Sequence, residues 1–115
     1  MESILTSIKK LLGIEEEYEH YDSDIIIHIN SVFMILNQLG VGPSTGFTIK
    51  DETAMWTDFV EDTTKIEAVK TYVYLKVKLI FDPPLSSAVM ESIKHQLSEL
   101  EFRLMVAAET KESES

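Results

Sequence analysis

The chain has 115 residues, 44% of them hydrophobic, and twenty acids against ten bases give a formal net charge of −10. That length and apolar content suit one compact domain with its own core, while the acid excess argues against a binder that neutralises nucleic-acid phosphates with Lys and Arg. The absence of cysteine excludes thiol catalysis, disulfides and thiolate metal sites, and no apolar run is long enough to span a bilayer.

The opening stretch MESILTSIKKLLG has an acid at position 2 and its lysines after the first apolar residues, an order unlike a secretory signal. It predicts a first helix over about Ser3 to Leu12, stopped by Gly13. Ile4, Leu5, Ile8, Leu11 and Leu12 form its apolar stripe, and Lys9 and Lys10 are expected to face away. In an acidic chain such a helix is expected to pack on its own domain rather than lie on a membrane.

After the acidic connection IEEEYEHYD, a second helix is predicted from about Ser23 to Leu39, with Asp22 as N-cap and Gly40 as its end. Ile25, Ile29, Val32, Leu36 and Leu39 recur at helical spacing, widened by Ile26 and Phe33. Asn30, Ser31, Asn37 and Gln38 occupy the other side. His20, Asp22, Asp24 and His28 lie close in sequence, but a structural histidine near a helix start is favoured over a metal site.

GVGPSTGFTIKDE is the loop-rich stretch, holding three of the four glycines. It admits a short strand or turn around Phe47 to Ile49, followed by a short helix carrying Trp56, Phe59 and Val60. Gly42 to Gly46 match G-x-S-x-G, yet the nucleophile elbow of hydrolases needs a strand before the serine and a large sheet to supply its partners. A helix precedes Ser44, so the stretch reads as a plain loop. No catalytic residue, cofactor or metal site is expected.

Thr64 and Glu67 match the capping-box pattern ahead of a long helix from about Lys65 to Phe81. YVYLKVKLIF is β-branched and aromatic enough to compete as a strand. Helix is preferred because the period continues back through Ile66 and Val69. Ile66, Val69, Val73, Val77 and Ile80 make one stripe, and Ala68, Tyr72, Leu75 and Leu79 a second. Two stripes indicate either a deeply buried central helix or one with a partner on each side. Lys65, Lys70, Lys76 and Lys78 read as a solvated edge.

Asp82, Pro83 and Pro84 make a structural corner. Leu85 and Met90 fit a hydrophobic staple around an N-cap at Ser86, opening a last helix from about Ser87 to Ala108. Met90, Ile93, Leu97, Leu100, Leu104 and Ala107 repeat as a narrow seam turned toward the core. Phe102 and Val106 stand on a different face beside His95 and Glu99, and Glu99 pairs favourably with Arg103. Another helix of the domain or a separate chain could cover that face. Candidate interface residues are Tyr72, Leu75, Leu79, Phe102, Arg103 and Val106. The expected fold is all-α, a small bundle of about four main helices with a loop-rich insert between the second and third. One domain would span 1–108, followed by a flexible acidic tail over 109–115.

YVYLKVKLIFDPP, the following Ser86 and Ser87, ELEFRL, and the earlier YDSDIIIHINSVFMILNQLGVGPSTGF with a tryptophan in MWTDF together resemble the head–tail connector (head-completion adaptor) proteins of tailed bacteriophages and prophages. The resemblance runs from the first helix to Leu104 and rests on order and spacing rather than on any catalytic signature. Phe102 departs from the tryptophan expected at that position, keeping an aromatic anchor without the indole N–H. The resemblance implies a non-enzymatic structural adaptor that assembles as a ring, typically dodecameric, beneath the portal protein. Its partners would be the portal, neighbouring copies of itself and a downstream stopper or tail-completion protein. DNA would pass through without specific binding, with no membrane involved. The location would be the virion head–tail junction, and the host cytoplasm during assembly. From a different class, the alternative is a small cytoplasmic helical regulator binding a protein through its last helix.

Overall fold

Ser3 caps the first helix by accepting the Thr6 N–H on Oγ at 2.9 Å, and α1 runs Ile4–Leu11. The computed structural model describes the backbone of residues 3–114 and the side chains of 3–109. Gly13, at φ 82, turns the chain after α1 in a conformation that disfavours a Cβ. Lys9 does not face away as its position suggested. It is 2% exposed, because the connection after α1 folds back over it.

The second helix, α2, spans Asp22–Gln38. Tyr21 occupies the N-cap position without a side-chain cap bond, and Asp22 sits in the first turn paired with Lys9 at 2.8 Å. The expected Asp22 cap is therefore replaced by a long-range ion pair, which uses the same carboxylate. Ile25, Ile29, Val32, Phe33 and Leu36 are buried along one face, as the spacing predicted.

The loop-rich insert is pinned to α2 by asparagine amides. Asn30 Nδ2 donates to the Ile49 carbonyl at 3.0 Å, and Asn30 Oδ1 accepts the Ile49 N–H at 2.8 Å. A side chain thus satisfies both backbone groups of Ile49, which removes the need for a ladder partner. Asn37 Nδ2 holds the Pro43 carbonyl at 3.0 Å. No strand forms among the described residues. Ser3 and Met55 make one isolated antiparallel bridge, reinforced by Ile4 N–H to the Ala54 carbonyl at 2.9 Å.

A short helix, α3, covers Trp56–Phe59. Its rings build the aromatic centre of the core. Phe33 meets Phe59 at 4.5 Å and Phe47 at 5.2 Å between centroids, and Phe47 meets Phe59 at 5.3 Å. Trp56 is 1% exposed, and its Nε1–H donates to Ser7 Oγ at 2.8 Å. The Ser7 hydroxyl in turn donates to the Ile4 carbonyl at 3.0 Å, so the buried indole keeps a partner. At Gly42, φ is 87, and an added Cβ would lie 2.4 Å from Phe59 Cε1. The glycine therefore allows the loop to close over this ring.

The central helix, α4, spans Thr63–Phe81. Asp62, not Thr64, is its N-cap, accepting the Thr64 N–H on its carboxylate at 3.0 Å. Aspartate one position earlier satisfies the same orphan donors, and the capping box is not used. This helix contacts all four others, which accounts for its two apolar stripes. Val69, Val73 and Val77 are fully buried on one side and Tyr72 on the other, with Leu75 at 7% exposure. Burial on this scale stabilises the fold by about 1.5–3 kcal/mol for each large side chain.

Asp82 ends α4 with φ −146 and ψ 66, its N–H bonded to the Lys78 carbonyl, and Pro83 and Pro84 turn the chain. The last helix, α5, runs Ser87–Glu114. Ser86 Oγ accepts the Val89 N–H at 3.3 Å, consistent with its predicted capping role. The staple is absent, because Leu85 points fully into solvent. Ile93, Leu97 and Leu104 are buried along the predicted seam. Far along the helix, Ala108 Cβ lies 3.3 Å from where a Cβ on Gly40 would sit, so α5 crosses the end of α2. The flexible tail expected over 109–115 falls on positions whose side chains, from 110 onward, are outside the described residues.

Candidate functional site

The face of α5 turned away from the seam carries the strongest candidate surface. Phe102 is 63% exposed and Val106 39%, one turn apart. The seam residues Ile93, Leu97 and Leu104 are buried on the inward side of the helix, and this pair lies outside the chain's own core. Arg103 lines a shallow groove of about 200 Å³ between α4 and α5, together with Thr71, Gln96, Glu99 and Leu100. On the same flank, His95 Nε2 lies 3.8 Å from Glu99. An aromatic ring, an aliphatic side chain and an arginine beside a groove are the residue types that serve as anchors in protein contacts.

The other sequence-predicted interface residues lie deeper. Tyr72 and Leu75 belong to the buried core of the chain, and Leu79 is half-buried. Tyr72 O–H donates to Glu101 Oε2 at 2.6 Å. Lys76 Nζ reaches the same oxygen at 3.6 Å and stands 5.9 Å from the Tyr72 ring centroid. Burial, then the hydrogen bond to Glu101 and its charge, push the Tyr72 hydroxyl above the usual tyrosine range. This network fastens α5 to α4. It positions the Phe102 face but does not form part of it.

Of the lysines expected on a solvated edge, Lys70, Lys76 and Lys78 are partnered. Besides Lys76, Lys70 lies 3.6 Å from Glu67 and Lys78 lies 3.7 Å from Asp82. The second of these ties the end of α4 to the corner. Among the residues weighed for metal binding, Asp22 is taken by Lys9, and the His20 ring packs edge-on to Tyr21 at 4.8 Å. Ser44 lies in a turn closed by the Gly46 N–H to the Pro43 carbonyl at 3.0 Å.

Several exposed apolar groups were not anticipated. Ile27 and Met34 stand seven residues apart on the outer side of α2, at 60% and 67% exposure, and Ile80, Leu85 and Val89 crowd the corner between α4 and α5. The Ile27–Met34 spacing was visible in the sequence, since both fall outside the Ile25, Ile29, Val32 stripe. Among the described residues, no helix is long and apolar enough to cross a membrane.

A family model described as phage connector protein matches residues 4–111 of the chain. No curated protein and no solved structure matches it.

Proposed function

Because the chain belongs to the phage connector protein family, we propose that it is a non-enzymatic adaptor of the head–tail junction, assembling as a ring beneath the portal protein to extend the DNA channel and offer a platform to the next connector or tail component. The observation that carries the ring is the α5 surface. Phe102 and Val106 remain exposed although Ile93, Leu97 and Leu104 already bury the inward seam of the helix. A protomer that repeats one heterologous contact, this face against a different face of the next copy, closes into a ring when the rotation permits. Leu79, Phe102, Arg103 and Val106 are the contact residues in this reading, and the Asp82–Pro84 corner sets the angle at which α4 presents α5.

The charge supports a conduit that does not retain DNA. A net charge of −10 supplies acidic surface that repels phosphate. Imaging the purified protein with purified portal particles tests the reading. A ring seated on the portal is expected. A chain that neither forms rings nor decorates portals would overturn it, and a basic lumen in an assembled ring would overturn the account of the charge.

A further inference from the structure

The connection between α1 and α2 is a built surface knuckle. From beneath, the Lys9 ammonium donates to the carbonyls of Glu16 at 2.9 Å and Tyr18 at 2.7 Å. Backbone bonds from Ile14 to Lys9, from Tyr18 to Glu15 and from Asp22 to Glu19 fold the segment into successive turns. Three rings stand on this frame. Tyr18 is 50% exposed and Tyr21 38%, and His20 is exposed as well. Their centroids lie 5.8 Å (Tyr18–Tyr21), 6.0 Å (Tyr18–His20) and 4.8 Å (His20–Tyr21) apart. Phe81 backs Tyr21 edge-on at 5.2 Å, which continues the cluster onto the end of α4. Glu15, Glu16, Glu17 and Glu19 are all exposed around it.

Carboxylates alone would attract any cation diffusely, and salt would screen them. Ring faces among carboxylates select more narrowly. A guanidinium is flat, weakly hydrated and able to stack on a ring while its N–H fork grips a carboxylate, whereas an ammonium is a compact, strongly hydrated point charge. Holding the backbone of the platform on a buried lysine lowers the ordering cost of binding. We propose that the Tyr18–His20–Tyr21 platform docks an arginine-bearing segment of a partner protein, with a guanidinium stacked on the rings and paired with the surrounding glutamates. None of the residues assigned to the assembly face takes part, so this surface and that face stand or fall separately.

Fluorescein-labelled octa-arginine and octa-lysine peptides carry equal charge and separate stacking from bulk attraction. Titrated by anisotropy at physiological ionic strength, octa-arginine is expected to bind about two- to fivefold more tightly. Amide chemical-shift changes in the full chain should centre on residues 15–21. The double substitution Tyr18→Ser/His20→Ser should remove the preference for arginine without changing the number of carboxylates. Glu91→Gln/Glu99→Gln on α5 should leave it intact. Equal affinity for the two peptides, or shift changes centred elsewhere on the wild-type protein, would overturn the proposal even if the ring variant failed to fold.

Discussion

The Lys9 ammonium and the Asp22 carboxylate meet at 2.8 Å, with the lysine side chain 3% exposed and the aspartate side chain 25% exposed. The same ammonium donates to the carbonyls of Glu16 and Tyr18, so it has both a counter-charge and hydrogen-bond acceptors. The charge is therefore tolerated in the interior, and one side chain joins α1, the start of α2 and the loop between them. Removing it should leave a partly buried carboxylate without its counter-charge and two carbonyls without their donor. Lys9→Met is expected to destabilise the fold by about 3 kcal/mol, read as a lowered urea midpoint at unchanged slope.

Tyr72 and Glu101 should make stability fall in base. The folded state holds the Tyr72 proton more firmly than the unfolded chain does. Above about pH 10 the unfolded state therefore loses a proton that the native state keeps, and the stability present below that pH declines as pH rises. In Tyr72→Phe this decline should be smaller by about one proton per molecule. Denaturant midpoints measured between pH 8 and pH 11.5 check the difference. Parallel curves for the two proteins would contradict it.

Gly42 and Gly46 share a positive φ, of 87 and 92, but differ in surroundings. At Gly46 a Cβ would meet nothing within 4 Å, whereas at Gly42 it would strike the Phe59 ring. Gly46→Ala should cost about 1–2 kcal/mol from the left-handed backbone alone. Gly42→Ala should cost about 2–4 kcal/mol, since overpacking is added. Thermal unfolding of the two variants side by side separates the contributions.

Phe102 and Val106 make the opposite prediction. Both are exposed, so Phe102→Ser/Val106→Ser should change monomer stability by no more than about 0.5 kcal/mol per site while reducing ring formation on portal particles. Light scattering and particle imaging read the assembly, and circular dichroism melting reads the fold. Loss of both together would assign these side chains to the core instead.

Much of this molecule was legible as periodicity. The stripe of Ile25, Ile29, Val32 and Leu36, the two faces of α4 short of the exposed Ile80, and the seam through Ile93, Leu97 and Leu104 follow from helical spacing, because burying one face of a helix imposes that period on its apolar residues. The glycine stops and the proline corner follow equally, since backbone freedom at those residues is local. Which of the competing groups satisfies a donor was not local. Asp62 displaced Thr64 as a cap, and Lys9 recruited Asp22 from thirteen residues away.

The all-α domain, its helix faces and the family resemblance spread along the chain are properties of near neighbours in the chain or of their order. Packing between elements settles that Lys9 is interior, that Tyr72 and Leu75 are buried while Phe102 and Val106 stay exposed, and that Tyr18, His20 and Tyr21 share one surface. Those outcomes depend on which elements pack together. A charge can be buried, or an apolar side chain left in water, only when distant segments supply or withhold its partners.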